Sequence, residues 1–293
     1  MTSPPLHKLV VIGVGLIGGS FALALRNAGM VKHIVGMGRS QENMQRALEL
    51  GIIDEIASNF ASALKGADFV LLAMPVGQIS NIMVQIAPCL TPGTIVSDVG
   101  STKQDVIIAA RTHLVQHLAH FIPCHPIAGT ELSGAEAAST HLFRDKHLII
   151  TPLAENNDQA ISLVTTLWQH CGTKVSCMPA DQHDRILATI SHLPHILAFT
   201  LMNHVRASIE DKPEEILRFA GSSFRDCTRI ASSSPEMWRD ICLANRETLL
   251  KQIDTYQKEL TDLRITLANN NGEALKKAFA NARETRQQWL KND

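Results

Sequence analysis

The 293-residue chain is poor in aromatics, has no charge excess and carries no paired-cysteine motif, and each absence removes a class of function. Aromatic residues make up 4% of the chain, with a single Tyr, so stacking platforms for single-stranded nucleic acid are not expected. Lys and Arg number 27 against 28 Asp and Glu, and no basic stripe interrupts that balance, which argues against a nucleic-acid partner. The six cysteines (Cys89, Cys124, Cys171, Cys177, Cys227 and Cys242) contain no C-x-x-C pair. They read as small apolar residues of a protein in a reducing cytoplasm. Long apolar runs are also scarce. The uncharged stretch Leu9–Leu25, 17 residues after His7-Lys8, resembles a signal peptide on hydropathy alone. Its Gly13, Gly15, Gly18 and Gly19 suit a tight turn instead, and its length is at the bottom of the spanning range of about 17–25 residues. No membrane association is expected.

What is present is alternation. Apolar runs at Leu9–Ile12, His33–Gly36, Phe69–Ala73, Thr94–Ser97, Phe121–Pro123 and His147–Thr151, with a more polar Lys174–Cys177, read as strands. Helical patterns at Leu16–Ala28, Gln41–Leu50, Gln78–Cys89, Lys103–Leu114 and Asp158–His170 lie between them. This implies an α/β fold with a doubly wound, mostly parallel sheet over residues 1–178. Residues 179–293 read as an all-helical second domain. Asp181–Val205 is expected to be one helix interrupted at Pro194, while Pro213 and Pro235 can each open another. Leu249, Ile253, Tyr256, Leu260, Leu263 and Leu267 form a heptad-like seam, which serves either internal packing or a homodimer interface.

Val10-Val11-Ile12-Gly13-Val14-Gly15-Leu16-Ile17-Gly18 places G-x-G-x-x-G between a strand and a helix, the signature of a Rossmann-type dinucleotide site. Gly13 permits the turn, Gly15 lets a pyrophosphate approach, and Gly18 allows close helix packing. Leu16 and Ile17 open the helix whose N-terminus faces the anion. The second strand ends at Met37-Gly38-Arg39-Ser40, with no carboxylate for a ribose 2′-hydroxyl. Arg39 and Ser40 can instead hold a 2′-phosphate, so NADP is expected rather than NAD. The alternative leaves Arg39 solvated and Ser40 as a helix cap.

Three further groups have the chemistry of a site. In Asp98-Val99-Gly100-Ser101-Thr102-Lys103, Ser101 either orients an imidazole or the nicotinamide, or caps the following helix. In Cys124-His125-Pro126-Ile127-Ala128-Gly129-Thr130, His125 stands at a strand end, suited to acid–base work or to a structural hydrogen bond. In Ser191-His192-Leu193-Pro194-His195, two imidazoles share a helix face. With His183 they raise the question of a metal, but no third ligand completes a site and none is expected. Phe224-Arg225-Asp226-Cys227-Thr228-Arg229 adds arginines suited to carboxylates.

These motifs, in this order over roughly residues 8–270, resemble the prephenate/arogenate dehydrogenase (TyrA) family of tyrosine biosynthesis. The stretches His125–Glu131 and Ser191–His195 carry the resemblance more specifically than the glycines do. The resemblance implies oxidative decarboxylation of a cyclohexadienyl acid, with hydride passing to NAD(P). It implies that His125 accepts the hydroxyl proton and that Ser101 bridges His125 and the nicotinamide. Arg229 would hold a substrate carboxylate. His195 and His192 would sit on the substrate side, with Thr130 and Trp238 near the pocket. A hydrogen-donating His195 would favour prephenate over arogenate, with use of both as the alternative. No fused mutase bundle or regulatory domain is evident, so any tyrosine feedback is expected at the active site. Two other readings are a β-hydroxyacid dehydrogenase, which lacks its helix lysine here, and a non-catalytic NADP sensor.

Overall fold

The computed structural model describes residues 6–130, 132–208 and 217–292. The chain divides into two compact units, Met1–Arg246 and Glu247–Asp293. The first is organised around a sheet of eight strands: β1 (Leu6–Ile12), β2 (Val31–Met37), β3 (Glu55–Ile56), β4 (Phe69–Leu72), β5 (Ile95–Asp98), β6 (Phe121–Pro126), β7 (His147–Ile150) and β8 (Lys174–Cys177). Their spatial order is β3-β2-β1-β4-β5-β6-β7-β8, parallel throughout except between β6 and β7. The expected doubly wound sheet is present. The two-residue β3 is an addition, too short to show a periodicity in the sequence.

Strand parity divides the core. On β1, Leu9 and Val11 face one side and Val10 and Ile12 the other; on β4, Phe69 and Leu71 oppose Val70 and Leu72. The intervening helices are α1 (Leu16–Asn27), α2 (Gln41–Glu49), α3 (Phe60–Leu64), α4 (Val76–Ile86), α5 (Gln104–His113) and α6 (Asp158–His170). Helices α1, α2 and α6 cover the first face, where Phe21 and Trp168 pack with ring centroids 4.6 Å apart. Helices α3, α4 and α5 cover the second. Burying both faces explains why the strands read as unbroken apolar runs, each large side chain contributing roughly 1.5–3 kcal/mol. Leu9–Leu25, the stretch with signal-peptide hydropathy, is split between β1 and α1.

Beyond β8 the described chain is helical: α7 (Ala180–Leu187), α8 (Leu193–Ala207), α9 (Ser222–Thr228), α10 (Pro235–Ala244), α11 (Arg246–Ala268) and α12 (Gly272–Asn292). The break expected at Pro194 falls earlier, as a π turn over Ala188–His192. Pro194 itself lies in the first turn of α8, where its missing N–H breaks no bond. Pro235 opens α10 as expected, with Ser234 accepting the Met237 N–H. Pro213 lies outside the described residues. The 28-residue run Ala180–Ala207 is long and apolar enough to cross a membrane, yet its buried His183, Asp184 and His192 all bond within the protein.

Between β1 and β4 the chain crosses to opposite sides of the sheet. That switch point opens a crevice at the strands' carboxyl ends, where the Gly13 turn lies.

Candidate active site

The crevice begins as a cradle. Gly13 has φ +99°, and a Cβ there would strike the Ala73 carbonyl. A Cβ at Gly18 would stand 2.9 Å from both Ala73 Cβ and Val11 Cγ1, so only glycine lets α1 sit this close to the sheet. Gly15 differs, with nothing within 4 Å of the Cβ it lacks. It is the N-cap of α1, no side chain caps that helix, and no acidic residue stands in its first turn. The amides of Leu16 and Ile17 are thus available to an anion, and the open space at Gly15 fits a pyrophosphate.

Clefts of about 350 and 760 Å³ flank this turn and share Gly15; the larger is lined by Gly13, Gly15, Gly38, Arg39 and Ser40. Arg39 is exposed and has no ion-pair partner among the described residues. Ser40 Oγ accepts the Asn43 N–H at 3.1 Å, so the capping role is real and coexists with exposure to the cleft. Asn43, not singled out from sequence, donates to the Val14 carbonyl at 2.7 Å and accepts from the Ala135 N–H at 2.8 Å. It ties the glycine turn to the segment after Thr130.

Two clefts, of about 350 and 450 Å³, share Ser101, His125 and Thr130 in their walls. The smaller continues to Gly15, Leu16 and Ile17; the larger reaches His195, Arg229 and Trp238. Residues far apart in sequence thus line one continuous space, with the imidazole of His125 at the junction.

His125 is held from behind. Asp98, at the end of β5, pairs with the fully buried Lys103, and Lys103 Nζ also donates to the Cys124 carbonyl at 2.7 Å. Asp98 further accepts the Gly100 N–H at 2.7 Å, fixing the turn that carries Ser101. Helix α5 starts at Gln104, with Lys103 at its N-cap position. Its first amides, of Lys103 and Gln104, donate to Asp184 at 2.8 and 2.9 Å. Ser101 therefore does not cap α5, contrary to one of the two expectations for it, and its side chain is left to the clefts.

The three helical imidazoles diverge. His183 bonds His125 and Asp184. His192 is fully buried, accepts from Asn245 at 3.2 Å, and lines neither of the two clefts. The expected substrate-side role of His192 is corrected by this placement: the ring is enclosed between Asn245 and the edge of Trp238, whose ring centroid is 6.0 Å away. His195 does line the larger cleft, stacked on Trp238, and its Nδ1 donates to the Ser191 carbonyl at 2.8 Å. Burial, and then nearby Arg229, lower the His195 pKa, so at neutral pH it is uncharged and its Nε2 is an acceptor. The hydrogen-donating His195 assumed from sequence is not what this geometry provides. Burial, with His183, Lys103 and His192 adding to it, holds the His125 pKa well below 6.5. At neutral pH His125 is an uncharged base.

The description "Prephenate dehydrogenase, nucleotide-binding domain" matches residues 21–195, and "Prephenate dehydrogenase, dimerization domain" matches residues 179–281. The chain belongs to the prephenate dehydrogenase family. This dehydrogenase is similar to the cyclohexadienyl dehydrogenase of Zymomonas mobilis, 34% identical over 278 residues, 95% of this chain and 94% of that one. Among solved structures it is similar to prephenate dehydrogenase from A. aeolicus in complex with hydroxyphenyl propionate and NAD+. The TM-score is 0.89 and the identity 33%, over 99% of this chain and 100% of that one. Synechocystis arogenate dehydrogenase also aligns, with a TM-score of 0.78 and 28% identity over 96% and 99% of the two chains. The dehydrogenase is thus an NAD(P)-dependent oxidoreductase of the prephenate and arogenate class.

Proposed function

We propose that the chain oxidatively decarboxylates prephenate to 4-hydroxyphenylpyruvate in the cytoplasm, with NADP as its cofactor. The observation that carries the chemistry is the neutral His125 at the junction of the two clefts. When bound, the nicotinamide supplies the acceptor for the hydride that leaves ring carbon C4. His125 Nε2 accepts the hydrogen bond of the C4 hydroxyl and draws its proton as the C4–H electrons depart. The ring carboxylate leaves as CO2, its bonding pair completes the aromatic ring, and the proton returns to the phenolic oxygen. Aromatisation drives the reaction, so positioning is the main task; the base adds about 10²–10⁴-fold. Arg229 is suited to a substrate carboxylate, Ser101 to orienting the base and the nicotinamide, and Thr130 to the wall between them.

Arg39, without a neighbouring carboxylate, supports NADP over NAD. A second substrate has an observation of its own. The acceptor Nε2 of His195 suits the ammonium of arogenate, so use of both substrates follows from the same cleft. Tyrosine carries that ammonium and a carboxylate, and its feedback would then be competitive with substrate. The seam on α11 is partly open, with Leu260 48% and Leu267 59% exposed, which supports a homodimer over internal packing.

Initial rates with prephenate or arogenate, each with NADP or NAD, test the proposal. Prephenate and arogenate should both turn over with NADP, each faster than with NAD. Silence in all four would overturn the reading.

A further inference from the structure

The wall behind His125 contains a chain of hydrogen bonds that no sequence motif announces. Asp184 receives the two α5 amides described above. Burial pushes its pKa up, but the bonds from His183 and from those amides prevail, and the net shift is downward. Asp184 is therefore a carboxylate at neutral pH and can only accept. Its Oδ1 lies 2.8 Å from His183 Nδ1, so that nitrogen carries the hydrogen. His183 is fully buried, and burial outweighs the pull of Asp184, so its pKa falls below 6.5 and the ring is neutral. With Nδ1 protonated, its Nε2 is a bare lone pair. That lone pair lies 2.8 Å from His125 Nδ1. Two lone pairs cannot share that distance, so His125 Nδ1 donates. Its Nε2 is left unprotonated for the cleft.

We infer that His183 and Asp184 are positioning residues that fix His125 in the Nδ1–H tautomer and so create the acceptor the reaction uses. The inference rests on the reading of His125 as proton acceptor. The step is balanced: the substrate hydroxyl proton moves to Nε2, Nδ1 keeps its own, and the resulting imidazolium is stabilised through His183 by the Asp184 carboxylate. The proton then returns to the phenolic oxygen. The other charged or titratable groups acting on this ring are Lys103, at the start of α5 and paired with Asp98 at the end of β5, and His192 from the π turn. Cys124, whose thiol burial raises to about 12, stays neutral beside them. The arrangement works as a buried carboxylate does behind a catalytic histidine, with one imidazole inserted between the two.

The tautomer can be read directly. Two-bond ¹⁵N–¹H correlation on histidine-labelled protein at pH 7, with His125→Ala identifying the signals, should show His125 protonated at Nδ1 and bare at Nε2. A proton on Nε2 would overturn the inference whatever the kinetics. In kinetics, His183→Leu removes the acceptor and should lower kcat about ten- to a hundredfold with cofactor KM unchanged. His183→Gln, whose Oε1 can still accept from Nδ1–H, should recover most of that loss. Equal losses in both folded variants, or none in either, would overturn the positioning role. If His183→Leu does not fold, the wild-type spectrum decides. Near-normal turnover in His125→Ala would instead sink the proton-acceptor reading and leave the tautomer result standing, so the two failures are distinguishable.

Discussion

His195 lies flat against Trp238, with ring centroids 3.6 Å apart and planes inclined by 19°. The stack and the bond to the Ser191 carbonyl leave the ring one orientation, with Nε2 toward the cleft. Its pKa is below 6.5, so it gains a proton only as pH falls. Protonation turns Nε2 from acceptor to donor and adds a positive charge. That opposes the ammonium of arogenate and favours the keto and carboxylate oxygens of prephenate. The ratio of kcat/KM for prephenate to that for arogenate should therefore rise as pH is lowered from 8 to 5. In His195→Leu the ratio should be flat. A wild-type ratio independent of pH would exclude this role for His195.

Cofactor choice should be set at the end of β2. Arg39→Ala should raise the KM for NADP about ten- to a hundredfold, the worth of a charge-assisted bond, and leave that for NAD unchanged. Installing a carboxylate is less simple. A Cβ at Gly38 would come within 2.7 Å of Met44 Sδ. Gly38→Asp alone should therefore lower affinity for both cofactors, and Gly38→Asp with Met44→Ala should favour NAD. Measured KM pairs for the three variants check this; an unchanged NADP KM in Arg39→Ala would discard the 2′-phosphate argument.

The glycines of the turn should separate by experiment. Gly13→Ala combines φ +99° with a collision against the Ala73 carbonyl, and should lower the melting temperature by several degrees or prevent folding. Gly15→Ala has open space and should fold normally, while its methyl group enters the room a pyrophosphate needs. Thermal melting together with cofactor titration distinguishes the two outcomes. Equal melting temperatures for both variants would refute the division of roles.

The sheet was legible because burial on both faces writes continuous apolar runs, and the cradle because its geometry demands glycine at fixed spacing. The polar scaffold was not. Asp184 caps α5 from a position 81 residues along the chain, so the segment before α5 carries no sign of its own cap and Ser101 was a reasonable substitute. Lys103 stood inside a quoted motif, but only the fold reveals that its charge is buried against Asp98. The exposure of His192 and His195 could not be told apart from their spacing, because a regular helix puts both on one face. Both do pack on Trp238, His192 edge-on at 6.0 Å and His195 stacked at 3.6 Å, and only the tertiary packing around Asn245 and Asp184 buries the first and leaves the second at the cleft.

His192 has a thermodynamic signature. Burial pushes its pKa down to about 4, partly opposed by Asp184. In the unfolded chain it titrates near 6.5, so between those values the unfolded state binds the extra proton. Stability from this residue is complete above pH 6.5 and declines as pH falls toward the folded pKa, by about 3 kcal/mol in all. His192→Gln keeps an acceptor for Asn245 and removes the titration. Its denaturation midpoint should fall less steeply than that of the wild type between pH 7 and 4.5. Because the side chain lines neither cleft, the substrate KM should stay within about twofold of the wild type. A large rise in KM would return His192 to the substrate site, and an unchanged pH slope would show that the acid sensitivity comes from other groups, His125 and His183 among them.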